Sequence, residues 1–407
     1  MKAFPTPRGR QRAQRRIAAV VCGVVALGGI GLGLRQASDL LYAGPMLQNV
    51  ATNGFSVAWW RAGGGQDELW IRTAASAPPA AYPAARHGAH FEARAAELDP
   101  GTAYAYEIRR RTRGGSRLLC AGQARTAPPP GTPFSFLAFA DSGSGQAAQY
   151  ELAQIMDRQS ANLVLHAGDL IYGSVGPGNY ARKFFRPYRN LLRRAFFYPV
   201  LGNHDLKSSA GQTFLEKFSL PANGPTALPP KHCYWFDYGD ARFVGIDSNL
   251  DTNTLAGVVA PWLEDVLGTA TCRWKFVYFH HAPWAGGTRP ANAKICATLV
   301  PAIEAGDADV VFCGHNHLFE RTPPLRAGRI APAHGTIYVT TGAGGKSLQA
   351  ERHGGAEGLA AYDDAQFSFT RVRVNADQIE CEQIGADNAV LDRFILVHAP
   401  PAATAPD

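Results

Sequence analysis

The chain has 407 residues, of which 46% are hydrophobic and 18% charged, and this composition is typical of globular rather than disordered proteins. The net charge is +7, but six of the 40 Lys and Arg residues lie in residues 1–16, so the remaining 34 nearly balance the 33 Asp and Glu residues. A nucleic-acid-binding surface therefore has no support from the overall charge.

The first element is a basic stretch followed by an apolar run. The basic residues of 1–16 precede IAAVVCGVVALGGIGLGL (17–34), which contains no charged residue. This pattern is typical of an export signal or an N-terminal anchor, and the run is just long enough for a membrane-spanning helix. We therefore interpret residues 1–38 as an export signal or membrane anchor, and we expect the rest of the chain in the periplasm or outside the cell.

The cysteines after this run are compatible with an oxidising compartment, where disulfides can form. The sequence leaves their pairing open, and no Cys-x-x-Cys spacing indicates a metal site. The six residues are Cys120, Cys233, Cys272, Cys296, Cys313 and Cys381.

Residues 43–128 alternate apolar and polar side chains with a period of two. GFSVAWW (54–60) places Val57 and Trp59 on one face, and TAYAYEI (102–108) follows the same pattern. Turn sequences such as AGGG (62–65) separate the strands, so we predict an antiparallel β-sandwich. The proline-rich stretch RTAPPPGTP (125–133) marks its end.

Residues 132–398 have a different sequence pattern, in which short apolar strands alternate with helical stretches. This alternation predicts a layered α/β domain with a mixed central sheet. We expect residues 399–407 to be a disordered tail. The predicted strands lie at 134–140, 162–168, 196–202, 241–247, 275–281, 308–314 and 335–342, and the predicted helices at 146–159, 261–268 and 294–305.

Polar side chains follow five of these strands. The carboxyl ends of strands in an open α/β sheet line one rim, so we expect these side chains to meet there. They offer oxygen and nitrogen, which suit iron, zinc or manganese, and a shared carboxylate can bridge two ions about 3.5–4 Å apart. The residues are Asp141, Asp169, Asn203, His204, Asp205, His280, His281, His315 and His317.

Five motifs occur in order along the chain: DSG (141–143), GDLIY (168–172), GNHD (202–205), HAP (281–283) and GHNH (314–317). With them the sequence resembles the calcineurin-like metallophosphoesterases, and more specifically the purple acid phosphatases. GPMLQNV (44–50) and LDPGTAYAYEI (98–108) are similar to the domain that precedes the catalytic domain in this family. The resemblance implies a fibronectin type III-like β-sandwich, followed by a four-layer α/β metallophosphoesterase domain with mixed central sheets.

The resemblance also implies two metal ions that share Asp169. The first would be held by Asp141, Asp169, Tyr172 and His317, and the second by Asp169, Asn203, His281 and His315. Gly143 stands where many relatives have a histidine ligand, and Tyr172 can supply the missing donor as a phenolate. A phenolate favours a trivalent ion, so Fe(III) is expected there and Fe(II), Zn or Mn at the other position.

Three further residues receive roles from the same resemblance. His204 is expected to contact the phosphate and stabilise charge that develops during the reaction, and Asp205 to orient His204. Members of the family usually have another histidine soon after His-x-Pro, but residues 284–300 contain none. Arg289 can assist a phosphate electrostatically, although its guanidinium does not act as an acid near neutral pH.

The expected function is that of an exported phosphatase with two metal ions, which hydrolyses small phosphomonoesters by attack of an activated water or hydroxide. One alternative is a phosphodiesterase or nucleotidase on the same metal core. Another is a non-catalytic binding protein of the cell envelope, but the full set of ligands argues against it. The sequence leaves the natural substrate and the oligomeric state open.

Overall fold

A computed structural model describes residues 41–72, 78–174, 176–207, 209–286, 290–349 and 358–398. The expected export signal or anchor (1–38), Arg289 and the expected tail (399–407) lie outside the described residues. Among the described helices, none combines the length and apolar character that crossing a bilayer requires. The six cysteines that follow the apolar run are described, and none of them forms a disulfide.

The N-terminal part is a β-sandwich of two antiparallel sheets, as the alternating sequence predicts. Val57 and Phe91 of one sheet share a buried cluster with Leu69 and Ile108 of the other. The strand orders are β1-β2-β6-β5 and β4-β3-β7-β8. The strands are β1 (Leu41–Ala51), β2 (Gly54–Arg61), β3 (Asp67–Arg72), β4 (Ala80–Pro83), β5 (Ala85–His87), β6 (His90–Ala95), β7 (Ala103–Thr112) and β8 (Gly115–Arg125).

The rest of the described chain forms two mixed sheets and a small hairpin. The first sheet continues the sandwich, because β1 pairs in parallel with β11 at Leu47 and Phe196. The strands are β9 (Phe134–Phe139), β10 (Leu163–His166), β11 (Phe196–Pro199), β12 (Cys233–Tyr238), β13 (Ala241–Ile246), β14 (Trp274–His281), β15 (Val310–Gly314), β16 (Phe319–Arg321), β17 (Leu325–Arg326), β18 (Arg329–Ile330), β19 (Ile337–Thr341), β20 (Ala361–Asp363), β21 (Ser368–Val374), β22 (Gln378–Gly385) and β23 (Val390–Val397). Their orders are β23-β22-β21-β9-β10-β11, which continues into β1, then β12-β13-β14-β15-β19-β16-β20, and β17-β18.

The described helices are short, and the longer ones pack on the outer faces of the two sheets. They are α1 (Ala147–Asp157), α2 (Pro177–Tyr180), α3 (Gln212–Lys217), α4 (Thr252–Thr254), α5 (Ala260–Gly268), α6 (Ala293–Thr298) and α7 (Val300–Ala305). Two π-helical turns, Ala181–Phe185 and Leu255–Val259, and a 3₁₀ turn, Leu191–Arg193, complete the set.

Aromatic side chains fill the space between the two sheets. The ring of Phe136 on β9 lies 5.2 Å from Phe243 on β13 and 5.0 Å from Phe276 on β14, centroid to centroid. On the far side of the second sheet, Val277 joins a separate buried cluster with Leu263 of α5. The layer order is therefore helix, sheet, sheet, helix, which confirms the predicted α/β architecture.

Parallel pairing aligns the ends of the strands that carry the motifs. β9 runs parallel to β10, and β14 runs parallel to β15. Asp141, Asp169 and His315 follow three of these strands with φ angles of 57°, 58° and 72°. Residues other than glycine rarely adopt this left-handed conformation, and such strain concentrates at functional sites. The strand ends thus turn their side chains toward one another.

Candidate metal centre

Three side chains meet at the first group of ligand atoms. The Tyr172 hydroxyl lies 2.8 Å from Asp141 Oδ1 and 2.9 Å from His317 Nε2. The third side of the triangle, from His317 Nε2 to Asp141 Oδ1, is 3.5 Å. Ligands bound at about 2.1 Å in tetrahedral or octahedral geometry lie about 3–3.4 Å apart, so these separations suit one ion.

A second group of three lies beside the first. Asn203 Oδ1 is 3.1 Å from His280 Nε2 and 3.1 Å from His315 Nδ1, and the two ring nitrogens are 3.3 Å apart. These three distances fall within the range of the distances in the first group. The centre therefore offers two sites for ions rather than one.

Asp169 connects the two groups. Its Oδ1 lies 3.5 Å from His280 Nε2 and accepts a hydrogen bond from the backbone N–H of His204 at 2.7 Å. One ligand atom each from Asp141, Asp169 and His280 falls within 4.8 Å of the other two, and all three residues are buried. A carboxylate in this position can contribute an oxygen to each of two ions.

The hydrogen bonds of the two histidines fit a metal centre. Nδ1 of His280 lies 2.9 Å from the carbonyl oxygen of Ala167, and Nδ1 of His317 lies 2.8 Å from that of Ser347. Because a carbonyl only accepts, each Nδ1 carries a proton, and Nε2 is the nitrogen of each ring that faces the other ligand atoms. Outer hydrogen bonds of this kind orient histidine ligands in metal sites.

The charges of the centre are compatible with a bound cation. Burial would lower the pKa of His280, but Asp169 and Asp141 outweigh it and raise that pKa. Burial would raise the pKa of Asp141, but His280, His317 and the Tyr172 hydrogen bond lower it to about 2. The Asp141 carboxyl thus stays ionised, and a metal ion can replace a proton on His280.

Gly143 packs too closely against the GDLIY loop to be replaced by a histidine ligand, which leaves Tyr172 as the available donor to a metal ion. A Cβ atom at this position would overlap the backbone carbonyl of Leu170, so a histidine cannot stand there without a shift of the chain. The carbonyl of Gly143 accepts a hydrogen bond from the Tyr172 N–H at 3.1 Å. Burial, followed by Asp141 and Asp169, raises the pKa of Tyr172 well above its ordinary value. The hydroxyl is therefore protonated until a cation displaces the proton.

The structure brings His280, rather than His281, to the group of ligand atoms. The HAP motif predicts His281, but the ring of His280 is the one that lies against Asp169 and Asn203. Nδ1 of His281 instead lies 2.9 Å from Ser248 Oγ, and its ring centroid is 4.7 Å from that of His315. We therefore correct the expected ligand from His281 to His280, since His281 lies beside the centre.

Asp205 does not orient His204 as expected. It is buried, and its Oδ2 accepts hydrogen bonds from the backbone N–H groups of Gly202 and Leu170 at 2.9 and 3.2 Å. Its Oδ1 accepts one from Ile171 at 3.1 Å. Asp205 therefore ties the GNHD loop to the GDLIY loop, and its part in the site is to hold these two loops together.

His204 lies on the open side of the centre. Its side chain is 29% exposed, and its Nε2 lies 4.0 Å from Asp169 Oδ2. Its ring packs against that of Tyr172, with the centroids 4.4 Å apart. This position suits contact with a substrate bound at the ions.

Two lysines near this opening were not identified from the motifs. Lys207 Nζ lies 3.2 Å from His204 Nε2. Lys346 Nζ lies 5.3 Å from the ring centroid of Tyr172. Neither belongs to a motif, and a single lysine in a loop carries no distinguishing pattern, so the sequence contained no signal for them.

The sequence is similar to known phosphoesterases. Residues 134–319 match the family model of calcineurin-like phosphoesterase, and residues 335–393 match that of iron/zinc purple acid phosphatase-like protein C. Purple acid phosphatase 5 of Arabidopsis thaliana is 26% identical over 302 residues, which are 68% of this chain and 66% of that protein. The match spans 33–66% of the length of the first three curated relatives.

Solved structures show the same fold. A purple acid phosphatase isolated from yellow lupin (Lupinus luteus) seeds superposes with a TM-score of 0.76 at 18% identity, over 90% of this chain and 78% of that one. A structure of PhoD superposes with a TM-score of 0.67 at 13% identity, over 88% of this chain and 89% of that one.

Proposed function

We propose that this chain, which belongs to the calcineurin-like phosphoesterases and carries the C-terminal domain of the purple acid phosphatases, is a phosphatase with two metal ions that hydrolyses phosphomonoesters. The observation that carries the proposal is the pair of ligand groups on either side of Asp169. Two ions in such an arrangement supply a nucleophilic hydroxide at neutral pH and withdraw charge from the phosphoryl oxygens.

The ligands fall into two sets with Asp169 in common. The first ion would be held by Asp141, Asp169, Tyr172 and His317, and the second by Asp169, Asn203, His280 and His315. Tyr172 supports Fe(III) in the first position, because a highly charged cation lowers the proton affinity of a phenol most. Fe(II), Zn or Mn would occupy the second.

The remaining proposed roles concern the binding of the substrate phosphate on the open side of the metal centre. The His204 imidazole is placed to contact the phosphate, and Asp205 keeps the backbone of its loop in position. Arg289 keeps its proposed role as an electrostatic aid to the phosphate, which rests on the sequence alone. A small phosphorylated compound is the expected substrate.

We also propose that the enzyme acts in the periplasm or outside the cell. The support is the basic stretch 1–16 followed by the apolar run 17–34. Fractionation of cells that express the full chain would test this. Activity confined to the cytoplasmic fraction would contradict export, and activity in the membrane fraction would indicate that the run is kept as an anchor.

Metal analysis and substrate kinetics test the catalytic proposal. We expect two equivalents of metal per chain and a visible absorption band from the phenolate bound to iron. Turnover of p-nitrophenyl phosphate should exceed that of bis(p-nitrophenyl) phosphate. The reverse preference would support the diesterase or nucleotidase alternative, and a metal-loaded protein without turnover on either compound would support the binding-protein alternative.

A further inference from the structure

One turn of the chain holds Lys207 against His204. The backbone N–H of Lys207 donates to the carbonyl oxygen of His204 at 3.2 Å, and the ammonium Nζ lies 3.2 Å from His204 Nε2. The contact is therefore supported by both the backbone and the side chain. Lys207 itself is exposed, so its ammonium can reach solvent and a bound substrate.

The chemistry of this contact decides which group carries the available proton. An ammonium can only donate, so Nε2 of His204 accepts and the neutral ring has its proton on Nδ1. The pair thus presents the proton of Lys207 at this side of the centre.

The pair lies on the open side of the centre. His204 Nε2 is 4.0 Å from Asp169 Oδ2, so Lys207 lies one hydrogen bond beyond a group that faces the shared carboxylate. The sequence after the HAP motif, residues 284–300, contains no histidine. Lys207 is therefore the candidate proton donor on this side for a phosphate bound at the two ions.

We propose that Lys207 is a catalytic residue that protonates the leaving oxygen. The inference rests on the proposed phosphatase function. As the oxygen of an incoming hydroxide forms its bond to phosphorus, the bond from phosphorus to the ester oxygen breaks, and its electron pair goes to that oxygen. The oxygen takes a proton from Lys207 Nζ and leaves as a neutral alcohol, and the free amine regains a proton from water.

This role implies a substrate class. An alkoxide is a much stronger base than an amine, so proton transfer from an ammonium to it is favourable, whereas a nitrophenolate leaves without a proton. Proton donation of this kind contributes roughly 10²–10⁴-fold in rate. The enzyme should therefore be suited to phosphomonoesters of aliphatic alcohols, such as sugar or glycerol phosphates.

The test measures kcat/KM of the metal-loaded enzyme on glycerol 3-phosphate, phenyl phosphate, p-nitrophenyl phosphate and 2,4-dinitrophenyl phosphate. We expect Lys207→Met to slow glycerol 3-phosphate by about 10²-fold or more and to leave 2,4-dinitrophenyl phosphate nearly unchanged. Lys207→Arg keeps the charge but does not give up its proton, so it should show the same selective loss. The matched control is Lys275→Met, at the opposite end of β14, about 20 Å along the strand from His281.

Two outcomes would overturn the inference. One is an equal loss on all four substrates, and the other is a Lys207→Arg enzyme with the wild-type rate on glycerol 3-phosphate, which would show that charge alone suffices. A wild-type enzyme that hydrolyses none of the substrates would instead overturn the proposed function, and this inference with it. Nitrogen-15 NMR of the metal-free protein adds a readout that needs no turnover: the His204 Nε2 signal should be that of an acceptor, and it should shift in Lys207→Met.

Discussion

The hydroxyl of Tyr172 lies 2.8 Å from Oδ1 of Asp141, so two expected ligands of one ion are hydrogen bonded to each other. Burial, Asp141 and Asp169 all raise the pKa of the phenol, so the tyrosine is neutral in the absence of a cation. An ion that binds here must displace the phenolic proton, and metal binding should therefore release protons. The Tyr172 side chain thus donates a hydrogen bond to Asp141 in the metal-free protein and would bind the ion in the metal-loaded protein.

Replacing Tyr172 tests both states. We expect Tyr172→Phe to abolish the visible absorption of the iron form, because no phenolate remains. The metal-free variant should lose about 1 kcal/mol in its free energy of unfolding, since it lacks the hydrogen bond to Asp141. The measurements are an absorption spectrum and urea unfolding. Tyr150→Phe is the matched control, because its hydroxyl bonds the carbonyl of Arg182 in an exposed position, and an unchanged spectrum in Tyr172→Phe would contradict the assignment.

Asp169 and His204 should separate metal binding from turnover. Asp169→Ala removes the carboxylate between the two ligand groups, so metal content and turnover should fall together. His204→Ala should keep its metal and slow hydrolysis by about 10²-fold, the usual effect of losing one charge-stabilising donor. Metal analysis and kinetics on the same preparations check this, and equal metal loss in both variants would refute the division of roles.

The histidine pair provides a comparison of neighbours. We expect His280→Ala to lose metal from the second position, because His280 Nε2 faces Asn203 and Asp169. His281→Ala should retain the metal, because Nδ1 of His281 lies 2.9 Å from Ser248 Oγ and His281 is not among the residues grouped around Asp169. Each variant serves as the control for the other. The opposite result would restore the ligand that the HAP motif predicts.

Side chains of β14 alternate between the two faces of its sheet, and this alternation could have identified His280 from the sequence. Phe276 and Tyr278 face the core between the sheets, while Val277 and Phe279 face the helices. His280 continues the first set and His281 the second, so the period of two on its own assigns His280 to the centre. The motif resemblance predicts His281 as the ligand, whereas the alternation along the strand favours His280.

Other parts of the centre could be predicted only in outline. The positions of Asp141 and Asp169 follow from apolar strands that end at one edge of a sheet, which periodicity reveals. The role of Asp205 depends on which backbone N–H groups lie within its reach, and that is a property of how two loops pack. Lys207 approaches His204 through a turn whose geometry has no marker in the sequence. The sequence pattern therefore could not predict the contacts between loops.

Removing Asp205 should destabilise the protein as well as impair catalysis. Asp205→Ala leaves three backbone N–H groups unpaired in the interior, which should cost on the order of 3 kcal/mol or more. Denaturant unfolding of the metal-free protein measures this cost, with His204→Ala as the control next to it on the open side. An Asp205→Ala protein of normal stability whose turnover falls as in His204→Ala would instead favour the original role in orienting His204.

Acid sensitivity should be traceable in part to His90, where the sandwich meets the rest of the protein. Its ring stacks on Trp60 at 4.6 Å, and its Nε2 is buried without a hydrogen-bond partner. Burial lowers the pKa of His90 to about 4, with Lys217, His87 and Lys231 adding to this effect and Glu92 opposing it. In the unfolded chain the pKa is about 6.5. Between these values the unfolded state binds more protons, so the contribution of His90 to stability falls as the pH drops through this window.

His90→Phe keeps the stacked ring and removes the titration. We therefore expect the free energy of unfolding of the metal-free variant to fall less between about pH 6.5 and 4 than that of the wild type. Urea unfolding at a series of pH values measures the slope, and His87→Phe, a change at an exposed neighbour in the same strand pair, is the control. The other buried acids and histidines contribute equally to all three proteins, so the difference in slope isolates His90. Identical slopes in His90→Phe and the wild type would show that this ring is hydrated enough to accept a proton in the folded protein.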